Sequence, residues 1–264
     1  MRGFAADRVL GDPQHLHPVA GFGNAAAALE RRLYADSRPR GAAHTAALVG
    51  AAIVVGVVAE RAARNPVAQA VATAVVAWTV LGGRSLEREA LAVDALLRAG
   101  DLPAARERLT HLVGRDTSAL EESEVARAVV ESVAENTSDA VVAPLLWGAV
   151  AGMPGLLGYR AANTLDAMVG HHNDRYERFG WAAARFDDLV NLPGSRIAGA
   201  ATFLASPGTA PSAAKAWRRD AAAHPSPNAG VVEATFAGAL GIRLGGTNRY
   251  YGSRLEHRPV MGDG

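Results

Sequence analysis

Glu131, Glu135 and Asp139 stand four residues apart in the stretch ESVAENTSDA. On an α-helix each step of four turns only about 40° around the axis, so the three acids form one slanted row. Like charges at that spacing repel, and the following residues, AVVAPLLWGAVAGMPGLLGY, carry no charge to relieve them. The row calls for a cation. Arg127, four residues before Glu131, suits one acid; a hydrated Mg²⁺ that shares its oxygen ligands with phosphates suits others. Asn136 and Ser138 add neutral polar groups. The same spacing also fits a solvated helix face that ends at an apolar boundary.

A second constellation lies in NTLDAMVGHHNDRYERFGWAAARFDDLVNLPGSR, residues 163–196. Asp187 and Asp188, with Asn191 one helical turn on, are oxygen donors of the kind Mg²⁺ uses beside a phosphate. With Glu135 and Asp139 they form the candidate metal set. They equally fit a helix N-cap next to a surface acid. His171 and His172 are adjacent, so they point apart, and no HxxxH or HxH spacing supports a transition-metal site.

The third constellation is HPSPNAG, residues 224–230, with Glu233 shortly after it. Two prolines restrict their own φ and the residues before them. The loop can therefore hold His224, Ser226 and Asn228 in fixed directions, and these with Glu233 are candidate substrate-binding residues. Arg218 and Arg219 just upstream suit an anionic group. An ordinary turn between helices has the same composition. No GxxxxGK[ST] loop, GxGxxG or GxSxG elbow occurs, so a nucleotide must be held by another device.

Several elements must position these residues. The chain has 264 residues, 49% of them apolar, with no cysteine and a formal net charge of +1. Thiolate chemistry and disulfides are thereby excluded, and no global field points to nucleic acid. The N-terminus lacks the apolar core of a signal peptide. Residues 42–59 and 66–83 are apolar around their whole circumference and have the length of membrane spans, joined by ERAARN into a hairpin. Residues 84–139 alternate charge with Leu, Ala and Val at helical spacing and predict amphipathic helices, broken near 100–103 and 114–117. Residues 140–159 contain Pro144, Gly152, Pro154, Gly155 and Gly158, which predict a kinked or broken helix that crosses the bilayer or enters and leaves on one side. Residues 160–196 and 215–230 are expected as polar loops, and 197–214 as a weak fourth span. Ala229–Leu240 is too short for a simple span. Arg-rich flanks at 1–41 and 84–139 place those segments on the cytoplasmic side. The expected fold is all-α: one multi-pass helical membrane domain, with polar helices and the active site facing the cytoplasm.

DRVLGDPQHLHPVAGFG, the forty residues from ESVAENTSDA to DAMVG, and HPSPNAGVVEATFAGALGIRLGG together resemble the CobD/CbiB family of cobalamin biosynthesis, the adenosylcobinamide-phosphate synthases. The resemblance covers most of the chain in the expected order. It implies a ligase of the cell membrane that joins the remaining propionate carboxylate of adenosylcobyric acid to aminopropanol or aminopropanol phosphate. ATP with Mg²⁺ drives the bond through an acyl phosphate, and no tightly bound cofactor is implied. On that basis Glu131, Glu135, Asn136 and Asp139 are catalytic candidates, with Glu135 taking the amine proton. Arg218 or Arg219 binds the aminopropanol phosphate, and Asn136 or Asn228 stabilises the oxyanion. Relatives extend further at both ends, so the chain is expected to be clipped there. They also commonly carry an aromatic residue and a lysine where this chain has His171 and His172, and Trp where it has Val231. Two rivals remain: a non-enzymatic membrane protein like AmpE, and a soluble corrinoid-binding module. HPSPNAG favours the synthase.

Overall fold

Proline and asparagine mark where the apolar hairpin starts and turns. In the computed structural model, which describes residues 2–10, 18–250 and 254–264, α1 (Arg2–Leu10) and α2 (Pro18–Leu33) precede α3 (Arg38–Ala62) and α4 (Pro66–Val80). The motif segment GDPQHLH, residues 11–17, lies outside the described residues. Asn65 caps α4 by accepting the Ala68 N–H at 2.8 Å, and Pro66 fills the first helical position, where a missing N–H costs nothing. The expected spans 42–59 and 66–83 fall on α3 and α4, the second ending at Val80.

Next come α5 (Gly83–Arg98), α6 (Leu102–Leu109) and α7 (Glu122–Thr137), which are the amphipathic helices expected over 84–139. A π-helical turn, Ser138–Val142, joins α7 to α8 (Ala143–Val169). Then follow α9 (Trp181–Ala205), α10 (Ala210–Asp220), a 3₁₀ turn (Ala221–Ala223) and α11 (Ala229–Leu240). Three stretches among the described residues are long and apolar enough to cross a membrane: Arg38–Ala62, Pro66–Arg98 and Glu122–Val169.

Four expectations need correction. The chain is mostly helical but not all-α, because β1 (Leu244–Tyr250) and β2 (Arg254–Met261) form an antiparallel hairpin. Gly245 and Gly246 take φ of 88° and 96° at the irregular register near its start, which suits glycine and ends helical continuation. Residues 160–196 are not a loop: α8 runs to Val169 and α9 starts at Trp181. Most of 215–230 is likewise ordered by α10 and the 3₁₀ turn, and 197–214 is no single helix, since Ser206-Pro207-Gly208 separates α9 from α10.

Where one domain is expected, the chain divides into two compact units, residues 1–82 with 139–194 and residues 83–138 with 195–264. The first unit holds α1 to α4, α8 and the start of α9. Its core is built on Leu48 and Val49 of α3 and Ala162, Leu165 and Val169 of α8. Small residues let the backbones approach: a Cβ on Gly56 would lie 2.6 Å from the Pro154 backbone. Outward, α4 presents valines one turn apart, Val67, Val71 and Val75, at 71%, 55% and 50% exposure. Val54, Val55 and Val58 of α3 are exposed too.

The apolar stretch after the acid row folds back on itself. Ala151 and Gly152 leave helical conformation, Gly152 with φ 62°. A Cβ on Gly148 would lie 2.9 Å from the Leu156 side chain, and one on Gly155 would collide with the Trp147 carbonyl oxygen. Residues eight apart on a straight helix are separated by roughly 12 Å. The two arms of α8, residues 143–150 and 153–169, are therefore a tight hairpin. The interruption expected over residues 140–159 falls at Ala151 and Gly152. Glu60, in the last turn of α3, caps the returning arm by accepting the Met153 N–H at 2.9 Å.

The second unit holds α5 to α7, the end of α9, α10, α11 and the β-hairpin. Val93, Leu109 and Val125 bury one face of α5, α6 and α7. Val231 and Ala234 of α11 pack with Leu244 and Met261 of the hairpin.

Candidate active site

In the second unit the acid row meets α11 and the β-hairpin. Glu131 is 4% exposed and fully engaged. One oxygen accepts from Arg115 at 2.8 Å; the other accepts from Arg127 at 3.1 Å and from the Gly245 N–H at 2.9 Å. Arg115 and Arg127 also hold Asn248 and the Gly245 carbonyl, so this knot fastens α7 to β1. The pairing of Arg127 with Glu131 is the one its spacing predicts.

Glu135, one turn on, is only partly covered and lines a small cavity with Arg115, Glu131, Tyr250 and Arg258. The cavity has a volume of about 130 Å³. That is room for a few waters or the reacting end of a small amine, not for a nucleotide or a corrin ring. Behind it sits Glu233 of α11, fully buried, with neither carboxyl oxygen in an ordinary hydrogen bond. Nη1 of Arg258 lies 3.7 Å from Glu233 and 4.0 Å from Glu135. Arg258 also donates to the Tyr250 hydroxyl at 3.1 Å and to Glu256 at 3.3 Å. Burial pushes the Glu233 carboxyl up to about 9, and the neighbouring charges of Glu135 and Glu131 add to the rise.

His224 faces the same group. Its Nδ1 lies 3.0 Å from the Ser226 nitrogen and 3.2 Å from the Ser226 carbonyl oxygen, and its Nε2 lies 3.7 Å from Glu233. Burial, then the Arg258 charge, lowers its pKa and keeps it neutral. The rest of the HPSPNAG loop is occupied in holding itself. The Ser226 hydroxyl accepts from the N–H groups of Asn228 and Ala229 at 3.3 and 3.1 Å, capping α11. Asn228 accepts from the Ser195 hydroxyl and from Arg196, both at 2.9 Å. Asn136 donates back to the Ser132 carbonyl at 2.9 Å. Arg219 is paired with Asp220 at 2.6 Å and with Asp263. Arg218 is exposed, with no ion pair among the described residues.

The first unit carries a different acidic group. Asp139 accepts from Asn191 at 2.5 Å. Asp187 is 7% exposed, its Oδ1 has no partner, and it interacts with Asn163 and with the charges of Asp139 and Asp166. Burial, then Asp139 and Asp166, holds its carboxyl well above the usual range. The Tyr159 hydroxyl is buried without a partner beside Asp139 and Asp187. Asp188 is half-buried, with Arg185 and His172 for charged neighbours. Among the described residues no three His, Cys, Asp or Glu side chains stand close enough to hold a metal ion by themselves. Of the candidate set, Asp139, Asp187 and Asp188 belong to the first unit and Glu135 to the second. The π turn beginning at Ser138 ends the regular spacing that would have kept Asp139 in the row. Sequence reasoning missed Arg115, Arg258 and Tyr250, which lie in no motif. It also missed Asp166 and Asn163, although both lie within the quoted central stretch.

The family model described as CobD/Cbib protein matches residues 1–264. This chain belongs to the CobD/CbiB family. A relative from Mycobacterium tuberculosis is 51% identical over 99% of this chain and 84% of its own length. One from Geobacter metallireducens is 48% identical over 97% of this chain and 83% of its own length. One from Rhodobacter capsulatus is 44% identical over the same shares. Each is named cobalamin biosynthesis protein CobD. No solved structure matches. In this CobD/CbiB chain Glu135, Glu233 and His224 all lie within the motifs that carry the family resemblance, whereas Arg258 comes from the C-terminal hairpin.

Proposed function

We propose that the protein is an enzyme of cobalamin biosynthesis that joins adenosylcobyric acid to aminopropanol or aminopropanol phosphate. ATP phosphorylates the propionate carboxylate, and the amine then displaces phosphate to give adenosylcobinamide or its phosphate. The observation that carries this reading is Glu135, a carboxylate open to a small cavity with a fully buried carboxyl group behind it, in a chain of this family. Amide formation releases a proton from the attacking nitrogen, and Glu135 is the group placed to take it. Glu131, saturated by two arginines, positions α7 rather than exchanging protons.

Mg²⁺ enters as part of the ATP substrate. It commonly takes one or two protein carboxylates and completes its shell with water and phosphate, so a trio of acids is not required. The unpartnered oxygen of Asp187, beside Asp139, fits that demand, and Asp188 is the weaker candidate. Asn228, held by the Ser195 hydroxyl and Arg196, is the proposed oxyanion donor. Arg218 is favoured over Arg219 for the aminopropanol phosphate, because Arg219 is already paired with two carboxylates.

We place the enzyme in the cell membrane with its site towards the cytoplasm. Exposed valine stripes on α3 and α4 would be costly in water and suit lipid. Arg-rich flanks set the orientation. The test is direct: membranes containing the chain receive adenosylcobyric acid, either amine, ATP and Mg²⁺, and the amide product is sought. Product that needs all four supports the proposal; none with either amine, from a chain that is folded and membrane-inserted, sinks it.

A further inference from the structure

Glu233 is the least explained group in the molecule. It sits on an apolar helix, is fully buried, and has neither oxygen in an ordinary hydrogen bond. A substrate-binding role does not suit a carboxyl group with no exposed surface. Its neighbours are a carboxyl group, an imidazole nitrogen and a guanidinium. Nη1 of Arg258 lies between the Glu135 and Glu233 carboxyl groups, 4.0 Å from one and 3.7 Å from the other, so the two acids are neighbours around one guanidinium. A second full negative charge beside the first, fully buried and without a hydrogen-bond donor, is costly, which favours one proton on the pair.

The two members differ in access. Glu135 faces the cavity, while Glu233 is sealed behind it. Arg258 touches both with a single nitrogen, at 4.0 and 3.7 Å, and so favours one negative charge on the pair over none. The other charged and titratable groups around them are Glu131, Arg115 and Arg127 at the foot of α7, Tyr250 and Glu256 on the hairpin, and His224. Glu131 is neutralised by Arg115 and Arg127, and Arg258 is shared with Glu256. Nε2 of His224 lies 3.7 Å from Oε1 of Glu233, the same oxygen that Arg258 approaches.

We propose that Glu135 and Glu233 act as a one-proton carboxyl pair, in which Glu135 collects the proton of the attacking amine and Glu233 stores the proton that keeps the pair singly charged. Arg258 and His224 are positioning residues. This deepens the ligase reading and rests on it. The balance is simple. The amine lone pair forms the C–N bond, the C–O bond to phosphate breaks, and phosphate leaves with that electron pair. The N–H proton passes to Glu135, so the pair then holds two protons. One returns to water through the cavity, and the pair is singly protonated again.

The test uses the full chain in membranes, with Glu233→Gln beside the wild type. Glutamine keeps the size and can donate a hydrogen bond, but it cannot exchange the proton. The expected result is a fall in kcat of about 100-fold with KM for the amine nearly unchanged, and a changed pH–rate profile. In parallel, the infrared difference spectrum of wild type minus Glu233→Gln, in which the buried Asp187 cancels, is expected to show a neutral carboxyl band at pH 7 that disappears at strongly alkaline pH. If that variant does not fold, the band is titrated in Asp187→Asn, where it must persist at pH 7. Wild-type product together with an unchanged pH profile in Glu233→Gln overturns the relay alone. Absence of the neutral carboxyl band at pH 7 overturns the shared proton. No product from the wild type overturns the ligase reading and the relay with it.

Discussion

Glu131 and Asp187 are both buried carboxylates, one in each unit, and their surroundings differ in kind. Glu131 is met by two guanidinium groups and a backbone N–H, so its charge is cancelled inside the fold. Asp187 is met by Asn163 and by the fields of Asp139 and Asp166, and one of its oxygens has no partner at all. Removing a partner from a balanced knot leaves an uncompensated buried charge. Removing one acid from a crowded group relieves repulsion. The same residue type therefore does opposite work: Glu131 fastens the fold, and Asp187 strains it in a way that a bound cation would relieve.

That contrast can be broken by exchange. The largest effect is expected for Glu131→Gln, which strands Arg115 and Arg127. It should destabilise the chain by roughly 3–5 kcal/mol, read as a fall in unfolding temperature with activity lost alongside folded protein. Asp187→Asn should do the reverse. Thermal stability holds or rises, while activity falls by at least about 10-fold and the Mg²⁺ needed for half-maximal rate increases. Equal behaviour of the two variants would erase the distinction.

The hairpin of α8 gives the next effect. Gly152→Ala places a Cβ at positive φ against the Glu60 side chain, and should cost about 1–3 kcal/mol. Gly50→Ala, mid-helix in α3 where a Cβ meets nothing within 4 Å, should instead raise stability by about 0.5–1 kcal/mol in the same thermal measurement. The pH dependence of stability separates the second unit further. The carboxyl group of Glu233, near 9 when folded, ionises near 4.5 in an unfolded chain. The native state therefore holds a proton that the unfolded chain releases across that window. Its contribution is greatest below about pH 4.5 and is lost as pH rises towards 9. Glu233→Gln should flatten that slope and raise the unfolding temperature at pH 8. The smallest effect concerns the surface: Arg218→Ala should raise KM for aminopropanol phosphate several-fold, and Arg219→Ala should leave it nearly unchanged.

Part of this was legible along the chain. The i, i+4 step from Arg127 to Glu131 predicts the ion pair that forms, because helical neighbours meet whatever surrounds them. Asn65-Pro66 predicts the start of α4 for the same local reason. The Pro and Gly content of 140–159 predicts a broken helix, and the break falls at Ala151–Gly152. The extension of the acid row to Asp139 was not legible, since a π turn has no strong sequence mark. Nor were the partners Arg115 of Glu131, 16 positions away, and Arg258 of Glu233, 25 positions away in the chain.

The sequence by itself determined which segments are apolar, where α4 starts and α8 is interrupted, and that Glu131 and Glu135 sit one turn apart, because these depend on side chains within a few residues of each other. Tertiary structure alone decided that Glu131 is neutralised, that Glu233 is sealed behind Glu135, and that Asp187 is left with an unpartnered oxygen. Those outcomes depend on burial and on charges brought in from distant segments, and the cost of a buried charge is set by its three-dimensional neighbours rather than by its neighbours in the chain.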